Sequence, residues 1–348
     1  MTNKAHILQQ ILDNRTDNKK VFGTSFSIRH KEHIWYGASG NLTTESSYFI
    51  ASTTKLYTTA IILHFQSKGL LKFDDLILHY LDEHIITGLN RHKGVDYSNK
   101  ITIKQLLAHT SGIPDYFQGK NELGISLEHQ LMKNTDQAWS FEDAIMRAKT
   151  ISSSFSAGTS GKALYSDTNF QLLGKIIEKI SGKTLEENYS EFIYTPLQLT
   201  KTYLYQDPND KIPATLFYKH SPLDIPLAMS SFGPDGGMVS TSDELLQFLY
   251  HFFNGTFFEK STLKELQVWN RIFFPMKSGV GIHQFKLPRF FDPLGIMPEL
   301  IGHSGLSGAL AYYSPQHDLY IAGTVNQVAY PDTSFKLMTK LIRTMLKK

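Results

Sequence analysis

The spacing of apolar positions changes character along the chain. Residues 21–29 and 33–38 carry the short, β-rich runs expected of strands, whereas 52–69 places Ile61, Ile62 and Phe65 on several faces of a helix and so predicts a buried one. Further on, Thr102 precedes an apolar-periodic run over 103–109 that Gly112 and Pro114 stop. Leu172, Leu173, Ile176, Ile177 and Ile180 form a single helical stripe ending at Gly182. Thr184 with Glu187 predicts a capping box for a helix that ends before Pro196, and Thr241 with Glu244 a second box for a helix through Leu245, Phe248, Leu249 and Phe252 to Gly255. The period then returns to that of strands. Segments 309–314 and 319–325 flank the turn Pro315-Gln316-His317-Asp318, a hairpin signal, and 335–346 reads as a closing amphipathic helix.

Strands at both ends with helices between them predict an α/β chain of the α+β type. One discontinuous sheet domain is expected from 1–70 and 226–348, with a mostly helical domain, 71–225, inserted into it. A length of 348 residues agrees with two subdomains, and 41% apolar with 19% charged residues excludes the disordered and fibrous classes. The net charge of +3 comes from 35 basic and 32 acidic residues that are interspersed, which argues against nucleic acid as a partner. Cysteine is absent, so disulfides and thiolate chemistry are excluded. No apolar run is long enough to span a bilayer, and 1–17 is expected to be a short amphipathic helix (Ile7, Leu8, Ile11, Leu12) without the features of a signal peptide. The chain as written is therefore expected in the cytoplasm, or in the periplasm or outside the cell if a native signal has been trimmed. The oligomeric state is not legible.

Two segments have the S-x-x-K spacing, which on a helix puts a lysine one turn from a serine. In Ser261 to Lys264, Ser261 and Thr262 stand just before Leu263, Leu266 and Trp269, where a hydroxyl is expected to cap a helix. Ser52 to Lys55 opens the apolar helix, where burial is expected to lower the lysine's proton affinity so that its neutral amine can accept the serine proton. Tyr165-Ser166-Asp167 follows a polar loop, and His303-Ser304-Gly305-Leu306 precedes a strand at which glycine would let a substrate approach backbone closely.

Taken in order, these segments resemble the penicillin-recognising serine hydrolases, the branch holding class C β-lactamases, D-alanyl-D-alanine carboxypeptidases and related esterases. Phe49-Ile50-Ala51-Ser52-Thr53-Thr54-Lys55 is similar to the family's nucleophile segment. Leu106-Leu107-Ala108-His109-Thr110-Ser111-Gly112-Ile113-Pro114-Asp115-Tyr116 is similar to its long loop after a helix, and is the most specific match. Tyr165-Ser166-Asp167 stands where the family has Tyr-x-Asn, Gly236-Gly237 where it has a glycine pair, and His303-Ser304-Gly305 where it has Lys/His-Thr/Ser-Gly.

The resemblance implies a β-lactamase/transpeptidase-like fold, an antiparallel sheet flanked by helices with the active site against the helical domain. It implies that Ser52 attacks an acyl carbonyl, that Lys55 and Tyr165 move the proton, and that the amides of Ser52 and Leu306 hold the oxyanion. His303 would orient a substrate carboxylate or assist Tyr165, and Asp167, Ser304, Gly305, Leu306 and Tyr116 would contact substrate. A small molecule or peptide is the implied partner, with no metal or cofactor. Asp167 in place of asparagine removes an amide donor and adds negative charge. With His303 in the lysine position, it favours an ester or a D-amino-acid peptide or amide over a β-lactam. No G-x-S-x-G elbow and no H-E-x-x-H occurs, which disfavours α/β-hydrolase and zinc chemistry. The remaining rival is a scaffold of the same fold that acylates slowly or not at all.

Overall fold

A computed structural model describes residues 2–293 and 295–347. Its centre is an antiparallel sheet of eight strands: β1 (Gly23–His30), β2 (His33–Gly40), β3 (Asn270–Phe273), β4 (Met276–Ser278), β5 (His283–Phe285), β6 (Leu300–Ser304), β7 (Ala309–Ser314) and β8 (Leu319–Thr324). The spatial order is β3-β4-β5-β6-β7-β8-β1-β2, so both halves of the chain meet where β8 pairs with β1, Phe26 facing Gly323 and Ile28 facing Ile321. Everything between Gly40 and Asn270 leaves this sheet and returns to it.

Period-two alternation gives the sheet its two apolar faces. Phe26, Ile28, Leu310, Tyr312, Leu319 and Ile321 pack against helices α1 (Thr2–Asp13) and α5 (Asp332–Leu346). Their neighbours Ala309, Ala311, Tyr320 and Ala322 face the opposite core, built with α2 (Thr54–Ser67), α3 (Asp167–Ser181) and α4 (Ser242–Phe253). Alanines on that face let the helices sit close to the sheet. Helix α2 is buried along nearly its whole length, as its apolar faces predict.

Most sequence boundaries stand within a few residues, and the departures have local causes. The stripe at Leu172 belongs to a helix that starts at Asp167, with Gly182 closing it in the left-handed region at φ 69°. The Thr184–Glu187 box is present, but the helical path does not end before Pro196: a π-turn, Ser190–Tyr194, leads into Thr195–Leu197. Proline there occupies the first turn, where its missing N–H is not needed. Thr241 accepts from the Glu244 amide, yet the box is one-sided, because the Glu244 carboxylate instead accepts from Thr200 N, Lys201 N and the Thr202 hydroxyl. Ser261 caps no helix. It lies inside a 3-10 turn, Lys260–Lys264, and the Leu266 carbonyl that a helix would use accepts from Val280 N at 2.8 Å.

Candidate active site

Ser52 reaches its place through a short strand. Tyr48–Phe49 pairs antiparallel with Met238–Ser240, Ile50 N donates to Met238 O, and a 3-10 turn over Ala51–Thr53 feeds α2. Ala51 sits at φ 46°, in the left-handed region that non-glycine residues rarely occupy, so the turn is strained immediately before Ser52. From α2, the Lys55 ammonium donates to Ser52 Oγ at 3.1 Å and to the Asp235 carbonyl at 2.5 Å. From the far side, the Tyr165 hydroxyl donates to Ser52 Oγ at 2.9 Å. Two side chains thus converge on the serine oxygen, one of them from 113 positions away.

Tyr165 is held by the loop that follows the helix Ile103–Leu107. His109 at φ 57° stacks on the Tyr165 ring with centroids 4.6 Å apart, and its carbonyl accepts from Leu164 N. Its Nδ1 lies 3.1 Å from Ser166 N and 3.2 Å from the Asn169 amide nitrogen, two donors that require an unprotonated Nδ1. Ser111 donates to Asn169 Oδ1, and Ser166 and Thr168 both donate to Pro114 O. The string 106–116 therefore acts as the mould for the Tyr165–Asp167 segment. Asp115 completes it, accepting from Phe117 N, Gln118 N and Asp167 N.

Asp167 changes the electrostatics expected of Lys55. Its Oδ1 lies 2.6 Å from the Lys55 ammonium, both side chains nearly or wholly buried, an ion pair rather than an aligned hydrogen bond. Burial works to lower the lysine's proton affinity, but Asp167, with Tyr165 and Asp235, outweighs it and the net shift is upward. The expectation of a neutral resting Lys55 is thereby overturned: the sequence reading weighed burial and left out the carboxylate. Tyr165 is also pushed up, by burial and then Asp167, with Lys55 and Ser52 pulling the other way. Burial and Asp167 hold the Asp115 carboxyl at about 7 and raise Asp235 well above the usual carboxylate range.

The other expected residues separate into those at the cleft and those behind it. A cleft is lined by Ser52, Asp167, Asp235, Leu306 and Ser307 together with a set of apolar side chains, including Phe117, Leu131, Met229 and Phe232. Gly305 lies against the nucleophile turn, where an added Cβ would stand 2.4 Å from Ile50 O and 3.1 Å from Ser52 N. Tyr116 does not reach the cleft surface: it is fully buried and donates to Asp235 Oδ2, alongside Gln171. His303 is buried too, its Nδ1 spent on the backbone of Ser304, and Ser304 itself is absent from the lining.

Three groups were not legible as site residues. Asp235 stands directly before the glycine pair, a position that could have been noticed. His109 lies in a string matched by resemblance but assigned no task. His283 has no motif at all, yet it stacks on His303 with centroids 3.9 Å apart and lies 5.9 Å from the Tyr165 ring. Burial, then Lys55, depresses its imidazole to about 3.

Comparison with known proteins gives the family to which this fold belongs. A family model described as Beta-lactamase matches residues 8–342, and the chain belongs to that family. A protein of Escherichia coli O157:H7 provisionally named D-alanyl-D-alanine carboxypeptidase is 30% identical over 193 residues, 55% of this chain and 41% of that one. The chain thus spans well under half the length of the curated relatives it matches. Among solved structures, a D-stereospecific amidohydrolase from Streptomyces sp. superposes with a TM-score of 0.77 at 25% identity, covering 95% of this chain and 97% of that one. The D-amino acid amidase of Ochrobactrum anthropi SV3, complexed with L-phenylalanine amide, gives 0.81 at 18% identity over 99% and 98%, a likeness of fold. Among the described residues no helix is long and apolar enough to cross a membrane.

Proposed function

We propose that this chain is a serine hydrolase that works through an acyl-enzyme on a small ester or a D-amino-acid amide or peptide. The observation that carries the reading is the double approach to Ser52 Oγ, from Lys55 at 3.1 Å and Tyr165 at 2.9 Å. Ser52 Oγ forms a bond to the acyl carbonyl carbon while its proton passes through Lys55 and Tyr165 to the departing nitrogen or oxygen. The bond to the leaving group breaks, and water then hydrolyses the ester by the same proton route in reverse. The amides of Ser52 and Leu306 are assigned to the oxyanion, since Gly305 presses on the Ser52 turn and Leu306 lines the same cleft. His303 and His283 are assigned to positioning Tyr165 rather than to substrate. We keep 1–70 with 226–348 against 71–225 as the working division of the chain, with Ser52 near the seam.

β-Lactam turnover is expected to be weak, because an acceptor-only Asp167 offers no donor to an acylamide carbonyl. The Lys55–Asp167 ion pair favours a second reading, slow acylation with little turnover, because both candidate bases rest protonated. Intact-mass spectrometry after exposure to a fluorescent penicillin and to p-nitrophenyl acetate tests both. Wild type should gain an acyl adduct or turn over the ester and Ser52→Ala should do neither. A long-lived adduct selects the second reading, and an equal result for the two proteins would refute Ser52 as nucleophile.

A further inference from the structure

Two turns at the β3 end of the sheet carry aromatic rings into water. The β3–β4 hairpin pairs Phe273 with Met276, so Phe274 and Pro275 form its tip. In the second turn, within 286–299, Phe291 N and Asp292 N both donate to Pro288 O, which puts Arg289 and Phe290 at the bend. Phe274 is 71% exposed and Phe290 85%, with Phe273 and Phe291 exposed beside them. The two turns touch: the Phe274 and Phe291 rings have centroids 6.0 Å apart, and those of Phe290 and Phe291 5.3 Å. The second turn is fixed at its base, where Asp292 pairs with Arg343 and accepts from Met297 N, both at 2.8 Å, and Met297 is buried in the core shared with α5. Rings held outward on anchored turns make one apolar patch, unlike the scattered single exposures that any surface carries.

The charge beside this patch is of one sign. Segments 270–278 and 286–299 hold four basic residues, Arg271, Lys277, Lys286 and Arg289, and two acidic ones. Both acids are taken, Asp292 by Arg343 and Glu299 by Lys286 at 3.0 Å. Arg271, Lys277 and Arg289 form no ion pair among the described residues. Arg271 and Lys277 are direct cross-strand partners, an arrangement of like charges that costs stability until an anion answers it. Exposed rings beside unanswered cations match a surface that is hydrocarbon within and phosphate without. Other occupants fit less of the patch. A soluble polyanion would answer the cations and leave the rings in water. A second copy extending the sheet would have to pair along β3, where Arg271 and the register shift between Arg271 and Phe273 oppose edge-to-edge pairing.

We infer that the 270–278 hairpin and the 286–299 turn together form a peripheral docking surface for an anionic lipid bilayer. Phe274, Phe290 and Phe291 enter the boundary between headgroups and acyl chains, while Arg271, Lys277 and Arg289 meet lipid phosphates. The contact is reversible, because a few rings and three charges fall far short of the hold of a spanning helix. The same hairpin reaches the candidate active site: the Phe273 ring stands edge-on to the Tyr165 ring with centroids 6.3 Å apart. Docking therefore brings the Tyr165 side of the site to the lipid surface, and it does so whether or not Ser52 is the nucleophile.

The test is co-sedimentation of the full chain with vesicles of phosphatidylcholine alone and of an equimolar mixture with phosphatidylglycerol. Wild type should partition onto the mixed vesicles about tenfold or more above the neutral ones, and added salt should erase the difference. The double variant Phe274→Ser, Phe290→Ser should lose about tenfold or more of the binding to mixed vesicles. Arg271→Gln with Arg289→Gln should bring the two vesicle types to within a few-fold of each other. Far-ultraviolet circular dichroism and thermal unfolding report that these surface variants are folded, and Ser52→Ala should bind as wild type does. Wild type left in the supernatant with mixed vesicles would overturn the inference, as would a serine variant that binds undiminished. Dextran sulfate that holds wild type and the serine variant equally well, while mixed vesicles hold neither, would replace the bilayer by a soluble polyanion. A wild-type dimer in light scattering that the serine variant dissolves, again without vesicle binding, would assign the patch to a second copy instead.

Discussion

Asp167 sits at the meeting point of two opposed demands. Its ion pair with Lys55 removes the penalty of burying a lone ammonium, but it also keeps that lysine protonated and raises Tyr165. Asp167→Asn removes the charge while keeping the shape, so both groups should release their protons more readily. For a neutral ester such as p-nitrophenyl acetate, the acidic limb of the kcat/KM profile should therefore move to lower pH. At a fixed pH on that limb the rate should rise about tenfold for each unit moved. A limb that stays in place, or moves up, would show that Asp167 does not govern the base.

At the scale of elements, the site is a junction of segment ends. The 3-10 turn before α2 supplies Ser52 and the first turn of α2 supplies Lys55, the residues before and at the start of α3 supply Tyr165 and Asp167, and Gly305 follows the end of β6. Such ends are held by their neighbours, and Gly305 packs against the Ile50–Ser52 turn with no room for a side chain. Gly305→Ala would drive a methyl to 2.4 Å from Ile50 O, a distance backbone must move to relieve. The expected result is at least a tenfold loss of acylation rate with only about 1–3 kcal/mol lost in stability, read by stopped-flow ester hydrolysis beside urea unfolding. Equal activity in the alanine variant would mean that the turn has slack and that Leu306 is not fixed against Ser52. The loop over 106–116 supports Tyr165 similarly, through His109 stacking and the Pro114 carbonyl.

For the whole molecule, buried ionisable groups make stability depend on pH. His109, His283 and His303 are all depressed by burial, so the unfolded chain binds protons that the native one refuses once pH falls below about 6.5. Their contribution is fully present above 6.5 and declines through the acidic range, for His283 down to about 3. Asp115 opposes this trend: held at about 7, it favours the native state as pH falls from 7 toward the usual carboxylate value. Replacing His283 by phenylalanine removes one of the depressed groups. The drop in unfolding free energy between pH 7 and pH 5 should shrink by about 2 kcal/mol relative to wild type. An undiminished drop would show that His283 is not neutral in the native core.

What the sequence settled by itself were the features encoded locally. Alternation marked β1, β2, β7 and β8, apolar crowding marked α2 as buried, and hydroxyl-to-acid spacing marked the Thr184 cap. The order of its motifs pointed to the family, because Ser52, Lys55 and Tyr165 each carry a short recognisable context. The tertiary structure alone decided which groups surround that triad. Asp235 comes to Lys55 from 180 residues away and His283 to His303 across a strand pair, and neither proximity has a periodic trace in the chain. The proton affinity of Lys55 escapes a sequence reading for the same reason: burial follows from apolar neighbours, but a charge at 2.6 Å is a fact of folding. Local patterns follow from backbone geometry and the hydrophobic effect, which act over a few residues. Electrostatics in a buried site depends on the few ångströms between segments that only the packed chain brings together.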